Sequence, residues 1–222
     1  TVKIVDGDIV VGTIEDTKAI GICGSGLVDA CASLNQVGLL DASGKFVTDE
    51  AAATISPILA PRLVTREGER VFVLSWNGPV GDATDSVFLT QRDVRELQFA
   101  KAAIATGWAL LLEEFGVEES EIQQVLLAGS FGSYLSPASA IKIGLVPKIP
   151  VMRIVSAGNV AGEGAKMVLL SAQERNGANS LLDEIAYVEL SDRPDFNDKF
   201  VERLAFPALP SFFDLIKICQ LE

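Results

Sequence analysis

The stretch Gln124-Val125-Leu126-Leu127-Ala128-Gly129-Ser130-Phe131-Gly132 decides how this chain is read. Val125 to Ala128 is a short apolar run closed by a glycine, the pattern of a buried strand in a sheet covered on both faces. A strand that runs into Gly-Ser-Phe-Gly brings bare backbone to its C-terminal edge, where open α/β sheets bind flat ligands. The same residues also suit a plain glycine turn between strand and helix, and both readings stay open at this point.

Upstream, the spacing predicts a long helix from Thr90 to Phe115. Thr90 is a capping residue and Asp93 lies in the first turn, near the positive helix end. Val94, Leu97, Ile104, Trp108, Leu111 and Phe115 recur at intervals of three, four or seven, one stripe of an amphipathic helix. Gly116 ends it. Earlier still, β-branched runs flank Asp6-Gly7 and Glu67-Gly68, which predicts two hairpins, Val2–Val11 and Arg62–Ser75. A helix from Ser25 to Gln36 lies between them, with Ser25 as cap and Gly38 as stop.

Downstream, strand and helix alternate. Ser136-Pro137 opens a short helix that Gly144 closes. A strand follows at Val151–Ser156, a helix at Val160–Arg175, a strand at Ile185–Leu190 and a last helix around Pro194–Leu204. Hairpins first and alternation later give an α/β fold: one mixed sheet with helices on both faces. No repeat or linker divides residues 1–222, so a single domain is expected.

Composition narrows the chemistry. The chain has 222 residues, 49 % hydrophobic and 22 % charged, a globular balance. Its net charge of −12 repels phosphate backbones and anionic lipid, so neither nucleic acid nor membrane is an expected partner. There is no His, which removes imidazole bases and His-containing zinc sites. Cys23, Cys31 and Cys219 are the three thiols, too few for a four-cysteine iron–sulfur cluster and odd for a disulfide framework. A reduced, cytoplasmic protein is expected, with no leader and no spanning segment.

Other motifs admit two readings. Gly21-Ile22-Cys23-Gly24-Ser25-Gly26 opens a helix whose free N–H groups suit an anion, or is a tight turn with Cys23 as a buried packing residue. Gly158-Asn159-Val160-Ala161-Gly162-Glu163-Gly164-Ala165 is a second strand-to-helix junction, its small residues suited to close helix packing. Asp82 and Asp85 read as a solvated loop rather than a carboxylate pair. Glu113, Glu114, Glu118, Glu119 and Glu121 read as a solvated face. The apolar tail Phe212–Leu221 suits an interface or docking on its own domain.

Together, Gly21–Ala30, Leu89–Ile104, Leu127–Gly132, Ile143–Pro147 and Gly158–Ala165 resemble the C-terminal region of reductive activators of corrinoid proteins. Val188–Ser191, Phe196 and Phe206-Pro207 fit the same pattern. Those activators are similar to the superfamily of actin, sugar kinases and chaperone ATPases, which implies a two-lobed ATP-binding fold. The resemblance makes Ala128, Gly129 and Ser130 the adenosine turn, and Gln98 and Lys101 a nucleoside-facing pair on the long helix. Gly158 and Asn159 become a lobe hinge, and Gly24 and Ser25 join the nucleotide-binding set.

The departures carry weight too. The first-lobe phosphate loops, the metal-linked Asp and the ferredoxin-like domain have no match. The chain is therefore expected to be mostly the second lobe of a longer protein, and no catalytic residue is carried over. ATP with Mg²⁺ is the implied ligand, [2Fe-2S] belongs to the parent only, and a corrinoid protein or corrinoid-dependent methyltransferase is the implied partner. A dimerisation or docking module, a homodimer included, and a small-molecule kinase remain the alternatives.

Overall fold

A computed structural model describes residues 1–208 of the chain. β1 (Val2–Val5) and β2 (Asp8–Val11) form an antiparallel hairpin with Val5 opposite Asp8. Asp6 and Gly7 turn it with φ of 51° and 85°, the doubly left-handed geometry that favours Asp-Gly. α1 (Gly24–Val37) follows, ended by Gly38 at φ 86° as expected. Its N-cap is Cys23, not Ser25, which already lies inside the first turn.

α2 (Asp49–Ile55) leads to a meander of β3 (Leu63–Arg66), β4 (Glu69–Trp76) and β5 (Ser86–Thr90). The predicted Glu67-Gly68 turn joins the first two strands, and β5 pairs with β4 through a bulge between Val73 and Ser75. α3 (Gln91–Phe115) starts with a full capping box: the Thr90 hydroxyl accepts the Asp93 N–H, and the Asp93 carboxylate accepts the Thr90 N–H.

β6 (Val125–Ala128), α4 (Gly129–Tyr134), α5 (Pro137–Lys142) and β7 (Ile154–Gly158) complete a parallel crossover. α6 (Val160–Leu170), α7 (Ala172–Leu181) and α8 (Phe196–Glu202) close the described chain. The class is α/β, but the expected single sheet is divided among three, β1-β2, β3-β4-β5 and β6-β7.

One hydrophobic core joins most of these pieces. Val28 and Leu34 of α1, Phe72 of β4, Leu89 of β5, Val94 of α3 and Ile143 after α5 are all buried in it. Phe72, Leu34 and Ile143 are each 0 % exposed, so this is where burial free energy is concentrated.

Several local expectations are corrected. On α3 the buried side is Val94, Leu97, Ala102, Ala105, Ala109 and Leu110, whereas Ile104, Leu111 and Phe115 are exposed. Alanines let the buried side of α3 sit close to its neighbours, and from Ile104 onward the large stripe residues are only partly covered, with Trp108 donating to Leu145 O. Ile104, Trp108 and Leu111 line an apolar groove of about 410 Å³ opposite Val125 and Leu127. β6 is not covered on both faces, because Leu126 points to solvent.

The strand expected from Val151 starts at Ile154, after a short 3₁₀ turn over Val151–Arg153. The helix expected through Arg175 breaks at Ser171, whose extended backbone lets its hydroxyl accept the Glu174 N–H and cap a new helix. Ile185–Leu190 is not a strand. Among the described residues the segment pairs with no strand, and Leu190–Asp192 turns as 3₁₀ instead. Of the small residues of α6, Gly162 sits close under the Asn159 side chain while a Cβ at Gly164 would meet open space, and among the described residues neither α6 nor α7 has a fully buried residue.

The acidic cluster is not simply solvated. Glu113 and Glu114 pair with Arg193, and Glu113 also pairs with Lys199. Beside these ions, Phe99 and Phe200 meet at 6.0 Å, so charge and rings together tie α8 to α3. Glu119 accepts the Lys148 N–H. Asp82 accepts hydrogen bonds from Thr84 and Asp85 pairs with Lys18, two separate roles. The tail Phe212–Leu221 lies outside the described residues. Among the described residues, no helix is long and apolar enough to cross a membrane.

Candidate functional site

Parallel pairing puts the two glycine junctions side by side. β6 ends at Ala128, which is the register partner of Gly158 at the end of β7. Gly129 then opens α4 at φ 87°, and Gly158 has φ 67°. A Cβ at either position would meet no atom within 4 Å, so both glycines present bare backbone to open space. Asn159 accepts the Gly162 N–H at 3.1 Å and so caps α6, which fixes the start of that helix beside Gly158.

Ser130 carries the site onto a cavity of about 780 Å³ that Gly24 and Ser25 also line. Its size suits a small-molecule ligand, for which pockets of roughly 300–1,000 Å³ are usual. Gly24 is a contact as well as a turn, since a Cβ there would lie 2.7 Å from the Phe131 ring. Bare backbone at Gly24 thus lets α4 approach the start of α1. Phe131 and Tyr134, both exposed on α4, give the cavity an aromatic wall.

Cys23 is exposed on this wall rather than buried, as its turn reading had it. Its Sγ lies 3.4 Å from Ser25 Oγ. Hydrogen bonding from Ser25, and then from the Gly26 backbone, draws its thiol below the ordinary value. Cys31 is the opposite case: burial in α1 pushes its thiol far up.

Gln98 and Lys101 do not join this group. Each is 2 % exposed, covered by the chain that follows α8. Gln98 Nε2 donates to Ser43 O at 3.1 Å and to Leu204 O at 2.9 Å. Lys101 Nζ donates to Ala205 O at 2.5 Å and lies 5.7 Å from the Phe206 ring centre. Burial, with Arg203 nearby, pushes Lys101 down to about 8. The structure therefore gathers Gly24, Ser25 and Ser130 around one cavity and sets Ala128, Gly129, Gly158 and Asn159 at adjoining strand ends. Gln98 and Lys101 hold chain segments elsewhere.

Part of the cavity had no signal in the sequence. Most residues from Gly12 to Gly21, Ile14 and Ile20 among them, also line it. Only tertiary folding brings them there. Among the described residues, no group of three or more Cys, Asp or Glu side chains is placed to hold a metal ion.

Comparison with known proteins identifies the family of the chain. A family profile described as the C-terminal domain of RACo, the ASKHA domain, matches residues 1–216. The corrinoid activation enzyme RamQ of Eubacterium limosum is 36 % identical over 201 residues, covering 90 % of this chain and 34 % of that protein. The [Co(II) methylated amine-specific corrinoid protein] reductase of Methanosarcina barkeri is 22 % identical over 204 residues, 90 % of this chain and 32 % of its own. A solved structure titled reductive activator for corrinoid,iron-sulfur protein superposes with a TM-score of 0.78 at 31 % identity, over 93 % of this chain and 32 % of that one. The chain spans about a third of the length of the relatives it matches. With adjoining glycine junctions on a parallel strand pair and a profile that matches nearly its whole length, the chain belongs to the family of C-terminal ASKHA domains of RACo.

Proposed function

We propose that this chain is a nucleotide-binding lobe of a reductive activator of corrinoid proteins, with ATP seated against Gly129, Gly158 and the adjoining cavity. One observation carries the reading. Two left-handed glycines with open space at Cβ stand on neighbouring parallel strand ends, where a flat ligand can approach backbone. Gly24 and Ser25 at the start of α1 add N–H groups suited to an anion, at the edge of the same cavity.

ATP supplies binding and hydrolysis energy that the intact activator would use to drive electrons from an iron–sulfur centre to a cobalt(II) corrinoid of a methyltransferase system. This chain's residues bind and orient the nucleotide. Gly129 and Gly158 leave room for the ring system, Ser130 offers a hydroxyl, and Phe131 and Tyr134 exclude water from one side. Differential affinity of the nucleotide for open and closed lobes then sets the affinity for the corrinoid partner. Among the described residues, no group of three or more carboxylates or thiols is placed to hold a metal ion, so no step is assigned here to Mg²⁺.

Calorimetry with ATP tests the reading on the 222-residue chain. Binding is expected in the millimolar range, because one wall leaves much of the ligand in water while a complete pocket encloses roughly 70–90 % of it. Gly129→Ala and Gly116→Ala form the decisive pair. Both positions are left-handed with open space at Cβ, so both variants carry similar backbone strain. Only Gly129→Ala should weaken ATP, by tenfold or more. Equal ATP affinity in the two variants would reduce the Gly129 turn to a structural one.

A further inference from the structure

We propose that residues 12–21 form a lid that closes over the 780 Å³ cavity when a ligand fills it. The inference rests on the cavity being a ligand site, the reading given above. Three observations on this segment support it.

First, its backbone is poised away from the ordinary minimum. Glu15 and Asp16 have φ of 57° and 52°, two successive left-handed residues that are not glycine. Second, it displays large apolar side chains at the cavity mouth. Ile14 is 82 % and Ile20 is 93 % exposed, and both line the cavity. Third, beyond Gly12, which exchanges backbone hydrogen bonds with Thr1 at 2.8 and 2.9 Å and so forms the fixed base of the segment, its attachments are weak. Lys18 pairs with Asp85 at 2.7 Å, with both side chains more than half exposed. Asn77 Nδ2 donates to Ala19 O at 2.8 Å. Thr13 and Thr17 bond only within the segment, Thr13 Oγ1 to Thr17 O at 2.6 Å and Thr17 Oγ1 to Ile14 O at 3.0 Å.

These features define two states. Burying two isoleucines outweighs an exposed ion pair, which favours closure. Closure over an empty cavity leaves a void that two side chains cannot fill, and an interior void forfeits contacts on every wall. A ligand that fills the space removes this penalty, so closure follows occupancy. Lys18 and Asn77 hold the resting position, and the left-handed pair supplies the bend that relaxes.

Limited trypsin digestion reads the lid directly, because Lys18 lies within it and cleavage there releases residues 1–18. Cleavage after Arg66, at the end of β3 where the chain enters the Glu67-Gly68 turn, serves as the internal control. With saturating ATP, cleavage after Lys18 should slow at least tenfold while cleavage after Arg66 stays within twofold. The same digestion with anilinonaphthalene sulfonate, a flat apolar anion, separates the lid from the nucleotide reading. Protection by the dye without any ATP binding would keep the lid and sink the nucleotide assignment. The double variant Ile14→Ser, Ile20→Ser should cleave at the wild-type rate without ligand and lose the protection. Unchanged cleavage after Lys18 with either bound probe, failure of both probes to bind, or full protection in the double variant would each overturn the lid.

Discussion

The core built by α1, β4, β5 and α3 differs sharply from the region built by β6, β7, α6 and α7. In the first, Leu34, Phe72 and Leu89 have no exposed surface. In the second, α6 and α7 have no fully buried residue among the described residues, and Leu126, Met167 and Leu170 are exposed. Apolar side chains are abundant in both, so hydrophobicity alone does not separate them. The first region supplies stability. The second presents strand ends and open backbone, the features that a ligand can use.

The sharpest break between the two regions should come from truncation. Phe72→Ala in the core should cost about 3–5 kcal/mol, through lost burial and the cavity left behind. Leu170→Ala, at a position 83 % exposed, should stay within about 0.5 kcal/mol. Urea unfolding of both variants checks the contrast. A large loss at Leu170 would mean that α6 is packed in solution.

Helix caps sharpen the same contrast at smaller scale. Thr90→Ala removes the hydroxyl of the capping box on α3, whose buried side is part of the core, and should cost about 1 kcal/mol. Ser171→Ala removes the equivalent bond on α7, which has no fully buried residue among the described residues, and should move the global unfolding midpoint far less. Hydrogen exchange would show the second loss locally, as faster exchange of the Glu174 amide. Equal global losses would make α7 part of the cooperative unit.

Lys101 provides the most delicate test, because it belongs to the core region and carries charge. Its folded value of about 8 lies below the ordinary 10.5, so the ammonium is disfavoured in the folded state. The penalty is therefore complete below pH 8 and is relieved as pH rises from about 8 to 10.5. Stability of the wild type should gain from this group across that window, and Lys101→Met should lose that gain. Thermal melts at pH 7.5, 9 and 10 read the difference. A parallel pH dependence in both proteins would show that Lys101 carries no buried charge.

Much of this architecture was legible in the sequence. Asp6-Gly7 and Glu67-Gly68 turn where they should, because left-handed backbone at two successive residues admits few sequences. Thr90 and Asp93 cap α3, and Gly116 ends it at φ 63°, because helix ends are satisfied locally. The Gly129 and Gly158 junctions were equally plain, since a glycine after an apolar run marks a turn. Local rules failed where local options competed. Ser171 offered a cap within a helical pattern and took it.

What only the tertiary structure decided concerns neighbours. Gln98 and Lys101 look like surface residues on a helix, and it is the return of Leu204–Phe206 across α3, with Ser43-Gly44 against Gln98, that buries them. The Val94–Phe115 stripe is covered at Val94 and Leu97 but open from Ile104 onward, because periodicity fixes which residues share a face and not how far a neighbour covers that face. The part of the cavity lined by Ile14 and Ile20 was invisible for the same reason: they lie far along the chain from Phe131 and share a cavity with it only in the folded protein. Backbone geometry is short-range and is written residue by residue. Burial is a property of pairs of surfaces, and the pairing is set by the whole folded chain.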